Sequence, residues 1–112
     1  MDAKTEVIRH GDLLFFSVAE LPEHAKQREG AVIQEGEATG HAHRLATSEG
    51  AAIFENKINW RDTDIYVRVG VAPVEVIHEE HKPVMLPANT TFKVNRAREF
   101  DYLEDAARFV AD

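Results

Sequence analysis

Residues 63–78 read TDIYVRVGVAPVEVIH, and this stretch decides the fold class. Ile65, Val67 and Val69 alternate with polar or aromatic neighbours, so they point to one face of an extended chain. The second half of the stretch continues in extended form, where Pro73 indicates an edge position or a bend. A period of two residues, interrupted by turn signals, predicts β-strands.

Short segments of the same kind recur along the chain, and turn residues separate them. The continuous apolar run at 13–18, LLFFSV, predicts a buried strand. Residues 22–30 are polar and are expected to form a loop with space for a short helical turn. Further strands are predicted at 31–35, 41–45, 51–55, 84–86 and 91–94. This spacing predicts a small all-β fold of two sheets, either a sandwich or a barrel.

The length fits one domain, which we expect to span 1–112. Its β core is predicted at 11–100, and a short C-terminal helix at 101–112. Apolar residues recur at helical spacing in that last segment, and Asp101 can cap its N-terminus. The alternative for this segment is a frayed tail.

Composition and charge exclude several classes of function. The chain has no cysteine, so disulfides and thiolate metal sites are absent and the cytoplasm is the expected location. A net charge of −7 argues against nucleic acid and anionic membranes as partners, although residues 93–98 read KVNRAR. No apolar run approaches the ~20 residues that span a bilayer, and the N-terminus does not have the pattern of a signal peptide.

Four of the six histidines fall in two close groups, and the first group is His41 and His43. Residues two apart in an extended segment point to the same face, so both imidazoles can aim at one point. This is a common way for a β scaffold to present two nitrogen ligands to a metal.

The second group is His78 and His81, which enclose two glutamates in the sequence HEEH. In a straight strand these side chains would face opposite sides. They converge only if the chain turns at residues 79–80, and the following Lys-Pro pair favours a turn. In the alternative, only His78 joins the first group, because it is in phase with the apolar positions before it.

These four histidines suit a divalent transition metal such as zinc, iron, manganese or nickel. Glu49 and Glu80 are the candidate catalytic residues, since a carboxylate can complete the metal shell or act as a general base. Two alternatives stay open: a metal-free ligand or catalytic pocket, and purely structural histidines. His10 and His24 have no partner nearby in the sequence and are expected to be exposed.

A resemblance is carried by residues 36–44, GEATGHAHR, and by residues 78–83, HEEHKP, which are followed by Leu86-Pro87 and by RAREF at 96–100. They resemble strings in small bacterial and phage-borne proteins that have no assigned activity. The likeness extends over about 11–100 and implies no particular function.

A broader resemblance is to the cupins, which are small double-sheet jelly rolls. Cupins hold a metal with a His-x-His pair, a following glutamate and a later histidine. His41 and His43 match the pair, while Glu49 lies further along than the usual glutamate. For the later histidine, one frame starts at Pro73 and reaches His78. Another frame starts at Pro87 and places a phenylalanine at the ligand position.

Two functions follow. The first is a cupin-like metal-binding protein that acts as an enzyme or as a small-molecule binder; whether it is an enzyme stays open. The alternative is a non-enzymatic, self-associating structural or interaction module of phage or mobile-element origin, in which the histidines hold turns together. A homo-oligomer is expected, above all for the structural module, because short apolar strands leave sheet edges that need cover.

Overall fold

The structure, a computed structural model, describes residues 6–35, 41–47 and 49–96, which form ten strands. They are β1 (Val7–His10), β2 (Leu13–Val18), β3 (Lys26–Arg28), β4 (Val32–Glu35), β5 (Ala42–Leu45), β6 (Ala51–Lys57), β7 (Thr63–Val69), β8 (Val74–Ile77), β9 (Val84–Leu86) and β10 (Thr91–Arg96). The all-β prediction is confirmed for these ranges, whereas the helix expected at 101–112 lies outside them. Within the same ranges there is no helix of the length and apolarity needed to cross a membrane.

The strands form two antiparallel sheets, which confirms the predicted double-sheet architecture. The larger sheet has six strands in the order β1-β2-β10-β7-β6-β3, and the smaller sheet has four in the order β4-β5-β8-β9. Neighbouring strands in both sheets run antiparallel. Chain-distant segments such as β2 and β10 therefore lie side by side.

The hydrophobic core joins the inner faces of the two sheets. Phe15 and Phe92 are fully buried and meet edge to face, with ring centroids 6.3 Å apart. The other buried members come from the larger sheet (Leu13, Ile53, Val67, Val69) and from the smaller sheet (Ile33, Leu45, Val74, Val76, Leu86). The predicted alternation along β7 and β8 is confirmed, because every second side chain of these strands packs in this core.

Most predicted strands lie within a few residues of the observed ones, but two strands were not predicted. β1 is one of them. The other is β3, which lies inside 22–30, where a loop was expected. β3 is polar, and it is a strand because it pairs with β6, with the Arg28 guanidinium 2.9 Å from the carboxylate of Glu55. Pairing with a distant strand leaves no periodic signal in a segment of three residues.

Two connections bring parts of both sheets to one place. β1 and β2 are joined by the two-residue turn Gly11-Asp12, where Gly11 has φ +63°. Glycine at the first central position of such a turn is typical of type II′ hairpins. The chain also bends over residues 79–81, between β8 and β9. Because β1 lies against β9, the hairpin turn and this bend meet.

Candidate metal centre

Five of the six histidines converge where the hairpin meets the bend. They are supplied by β1, by the start of β5 and by the bend after β8: His10, His41, His43, His78 and His81. Neighbouring ring centroids lie 4.5–6.4 Å apart. The sixth histidine, His24, is exposed on the connection between β2 and β3. The structure therefore brings together all four histidines that were predicted as metal ligands, with His10 added.

Two overlapping groups have the separation needed to hold a metal ion. His43, His78 and His81 each offer a ring nitrogen, and the three nitrogens lie within 4.8 Å of one another. His41, His78 and Glu79 form the second group. The turn that His81 requires is present in the bend at 79–81. Neutral imidazoles from several elements are ordinary ligands for zinc and for other first-row metals.

His43 is the most enclosed ligand candidate, since only 4% of it is exposed. Its Nε2 lies 3.0 Å from Oδ1 of Asp12, which follows the hairpin glycine. An ionised carboxylate only accepts hydrogen bonds, so the Nε2–H of His43 donates to it. This tautomer leaves a lone pair on Nδ1. A carboxylate that fixes the ring of a metal-binding histidine in this way is a recurrent arrangement.

The Nδ1 atoms of His10 and His43 lie 2.9 Å apart. With the proton of His43 on Nε2, His10 donates its Nδ1–H to His43 when no metal is bound. His10 belongs to neither ligand group, so Nδ1 of His43 must release this hydrogen bond before it can bind a metal ion together with His78 and His81.

The expectation for His10 was wrong, because the side chain is buried with 1% exposure. Its pKa is lowered to about 4, first by burial and then by the nearby rings of His43 and His81. The Lys82 backbone near the ring acts in the opposite direction. Nε2 of His10 is buried and makes no hydrogen bond of good geometry to the part of the chain that the structure describes. The ring is thus kept neutral, which is the state that binds metals.

The pKa values of His43 and Asp12 are both lowered. Burial lowers the pKa of His43, and the hydrogen bond and charge of Asp12 only partly offset it. For Asp12, burial alone would raise the pKa, but the contact with His43, the Asp12 backbone N–H and the charge of Arg96 together outweigh it. The pair is therefore a neutral imidazole beside a carboxylate at pH 7.

His78 and His41 both contact Glu80. The backbone N–H of Glu80 donates to Nδ1 of His78 at 2.9 Å. The Glu80 carboxylate lies 3.3 Å from Nδ1 of His41 and is largely exposed. The predicted catalytic Glu80 is thus beside the centre. His78 has its proton on Nε2 in this arrangement, so it binds a metal only if the bond from the Glu80 backbone is released.

Glu79 fastens the bend to β5. One carboxylate oxygen accepts the N–H of Ala42 at 3.0 Å, and the other lies 3.2 Å from the Arg44 guanidinium. The pKa of Glu79 is lowered to about 2, with the Ala42 hydrogen bond as the largest cause. Because Ala42 lies between His41 and His43, this contact sets the position of His78 relative to both.

Gly11 makes room for the ring of His81. A Cβ atom on Gly11 would lie 2.6 Å from both Cδ2 and Nε2 of that imidazole. Any other residue at position 11 would displace the ring or the turn. The sequence signal for this part of the centre is the tripeptide at 10–12, His-Gly-Asp, at a hairpin turn.

The structure does not bring the second predicted catalytic residue to the centre. Glu49 is exposed on the connection from β5 to β6, where its N–H donates to Thr47. This connection follows the end of β5 that is opposite to His41 and His43. Glu49 belongs to neither ligand group. The cupin-like spacing predicted it wrongly as a neighbour of the histidines, because that spacing does not determine where the chain turns after β5.

A family profile matches residues 9–97, a range that contains all five converging histidines. The chain belongs to the family described as Domain of unknown function (DUF8820). Membership assigns no activity, in agreement with the resemblance to proteins that have none assigned. No curated protein and no solved structure matches the chain.

Proposed function

We propose that this protein binds one divalent transition metal at the histidine centre. Zinc, iron, manganese and nickel all suit neutral imidazole ligands. The observation that carries the proposal is the group of His43, His78 and His81, whose nitrogens lie within 4.8 Å of one another. Asp12 supports it, because it already holds His43 in the tautomer that a metal requires.

The proposed centre extends from the interior to solvent, as a site for catalysis or for small-molecule binding requires. His43 is buried, His78 is partly buried and His81 is exposed. Three nitrogen ligands leave positions for water or substrate, where the metal polarises an oxygen or lowers the pKa of bound water. Glu80 is the proposed general base beside this opening. This chemistry is what the resemblance to the cupins implies for a double-sheet protein.

Metal content measured on untagged protein tests the proposal. We expect about one equivalent of metal in the wild type and a tenfold or greater loss of zinc affinity in His43→Ala and His81→Ala. His24→Ala is the matched control, because it removes an exposed imidazole outside the centre. Unchanged metal content across His43→Ala, His78→Ala and His81→Ala would reject the proposal.

A second function, a self-associating structural module, is favoured by different observations. Hydrogen bonds within the chain already connect His43 to Asp12 and to His10, as in a purely structural cluster. Trp60 and Val71 are 89% and 88% exposed, so both side chains are available to a second copy of the chain. Light scattering distinguishes the two functions: a strict monomer with stoichiometric metal supports the metal-binding function, and a metal-free oligomer supports the structural module.

A further inference from the structure

A cleft of about 730 Å³ lies at one end of the space between the two sheets. Its apolar floor is formed by Leu13, Ile65 and Val94 of the larger sheet. Gln34 of the smaller sheet and Arg96 at the end of β10 also line it. This volume is within the range of sites for small molecules.

The strand register places the cleft directly beside the histidine centre. Gln34 is paired with His43, and directly paired residues share a face of the sheet. Leu13 is paired with His10 on one side and with Arg96 on the other. His10, Leu13 and Arg96 therefore form one row across three neighbouring strands. Two strand spacings, roughly 10 Å, separate the backbones at the ends of this row.

Arg96 is the cation of this cleft that lies in one row with His10. Its side chain is partly buried, and it makes no hydrogen bond or ion pair within residues 6–35, 41–47 and 49–96. Its positive charge reaches the carboxylate of Asp12 and helps to lower the pKa of that group. A partly buried guanidinium is stabilised by an anionic partner, with which it forms two parallel hydrogen bonds.

The cleft lining carries two cations, Arg61 and Arg96, and two carboxylates, Asp62 and Asp64. Asp64 lies 3.6 Å from the ammonium group of Lys93, which offsets its charge. Asp62 accepts a hydrogen bond from the Asn59 amide in the β6–β7 turn. Arg61, which also lines the cleft, has its guanidinium 5.1 Å from the Trp60 ring centroid. The lining is therefore neutral overall, and an anion is favoured locally at Arg96, whose guanidinium forms no ion pair with these two carboxylates.

We propose that the cleft binds a small organic carboxylate, with Arg96 holding the carboxylate group and the other end of the molecule directed at the histidine centre. The span along the row fits a molecule with a short carbon chain. The direction of the far end rests on the proposed metal site. The contact between Arg96 and the carboxylate does not, because it needs no metal.

Titration with succinate, followed by amide shifts in NMR, tests this proposal. Succinamide is the uncharged probe of the same length. We expect succinate to shift the amides of Leu13, Gln34 and Val94, and succinamide to leave them unchanged. Arg96→Gln should weaken succinate binding at least tenfold. Arg68→Gln is the matched control, because Arg68 is exposed and lies over Phe54.

Arg96→Lys provides a second variant in case Arg96→Gln does not fold. It keeps the charge but loses the bidentate geometry, so we expect severalfold weaker binding. Equal succinate binding in wild type, Arg96→Gln and Arg96→Lys would overturn the proposal, as would equal shifts with succinamide.

Each titration is repeated on zinc-loaded protein and on protein treated with 1,10-phenanthroline, an uncharged chelator. Arg96-dependent binding in a chain that takes up no zinc supports the cleft and rejects the metal site. Zinc uptake without Arg96-dependent succinate binding supports the metal site and rejects the carboxylate site in the cleft. Binding that is also tighter in the zinc-loaded protein supports the placement of the far end at the histidine centre.

Discussion

Asp12 orients His43 without being a metal ligand candidate itself. Asp12→Asn removes the negative charge while keeping the size of the side chain, so the three nitrogens of the ligand group stay available. We expect zinc affinity to fall about 10–100-fold, the range typical for the loss of such a supporting partner. Competition with a chromogenic chelator measures this. Asp62→Asn, which changes a carboxylate in the β6–β7 turn, should bind zinc as the wild type does.

The buried histidines also make the metal-free protein sensitive to acid. In the folded state the pKa of His10 is about 4 and that of His43 is lowered, against a reference of 6.5. The unfolded chain therefore binds more protons below pH 6.5, and stability is lost as the pH falls toward 4. The full shift of His10 corresponds to about 3 kcal/mol. The lowered pKa values of Asp12 and Glu79 reduce the stability only below about pH 4.5, where these carboxylates begin to take up protons in the unfolded chain.

Urea unfolding of chelator-treated protein at pH 7.5, 6.5, 5.5 and 5.0 measures this sensitivity. We expect the free energy of unfolding to decrease below pH 6.5 in the wild type and in His24→Asn. His10→Asn should show a smaller decrease, because it lacks the histidine whose pKa burial lowers to about 4. Wild-type curves that coincide from pH 7.5 to pH 5.0 would contradict the prediction.

At the scale of the elements, the β1–β2 hairpin positions two parts of the centre. Gly11 and Gly30 both have positive φ, +63° and +96°, but only Gly11 has a neighbour close to its missing Cβ. We expect Gly11→Ala and Gly30→Ala each to lose about 1–2 kcal/mol from backbone strain. Only Gly11→Ala should in addition weaken zinc binding, since its Cβ displaces the His81 ring. Equal zinc affinity in the two variants would show that His81 is not held by this contact.

The strands also show how far local sequence determines the elements. β2 and β9 begin and end at the predicted residues, because each is a short continuous run of mostly apolar side chains next to turn residues. β1 and β3 escaped prediction because their burial patterns are mixed or polar and pairing with a distant strand defines them. For the same reason, the helical alternative at 22–30 was wrong where β3 lies.

At the scale of the whole molecule, the centre connects the two sheets. His10 and Asp12 belong to the larger sheet, whereas His41 and His43 lie at β5 of the smaller one. The ligand group comes from the smaller sheet, and Asp12 and His10 of the larger sheet hold His43 in place, so a metal bound here binds the folded state only and stabilises the domain. Zinc at 100 times its dissociation constant should add about 2.7 kcal/mol. For a chain of this size we expect the melting temperature to rise on the order of 10 °C.

Thermal unfolding with and without zinc measures this effect, and His43→Ala should abolish it. His24→Ala should keep the full rise. A rise of equal size in His43→Ala would assign the stabilisation to zinc bound elsewhere on the surface.

The sequence by itself determined the two-sheet β architecture and the ligand candidates with local signals. His41 and His43 are two apart in an extended segment, and the residues after His78 favour the turn that His81 needs. Local geometry decides such placements, so a single segment reveals them.

Only the tertiary structure decided the rest. Asp12 and His10 contact His43 across 31 and 33 positions of the chain, and Arg96 joins their row through pairing with β2. Glu49 lies near His43 in the sequence but beyond the other end of β5. Sheet pairing and burial determine which of these residues are neighbours in space. Antiparallel pairing brings residues together that are distant in the sequence, whereas an extended strand separates residues that are close in the sequence.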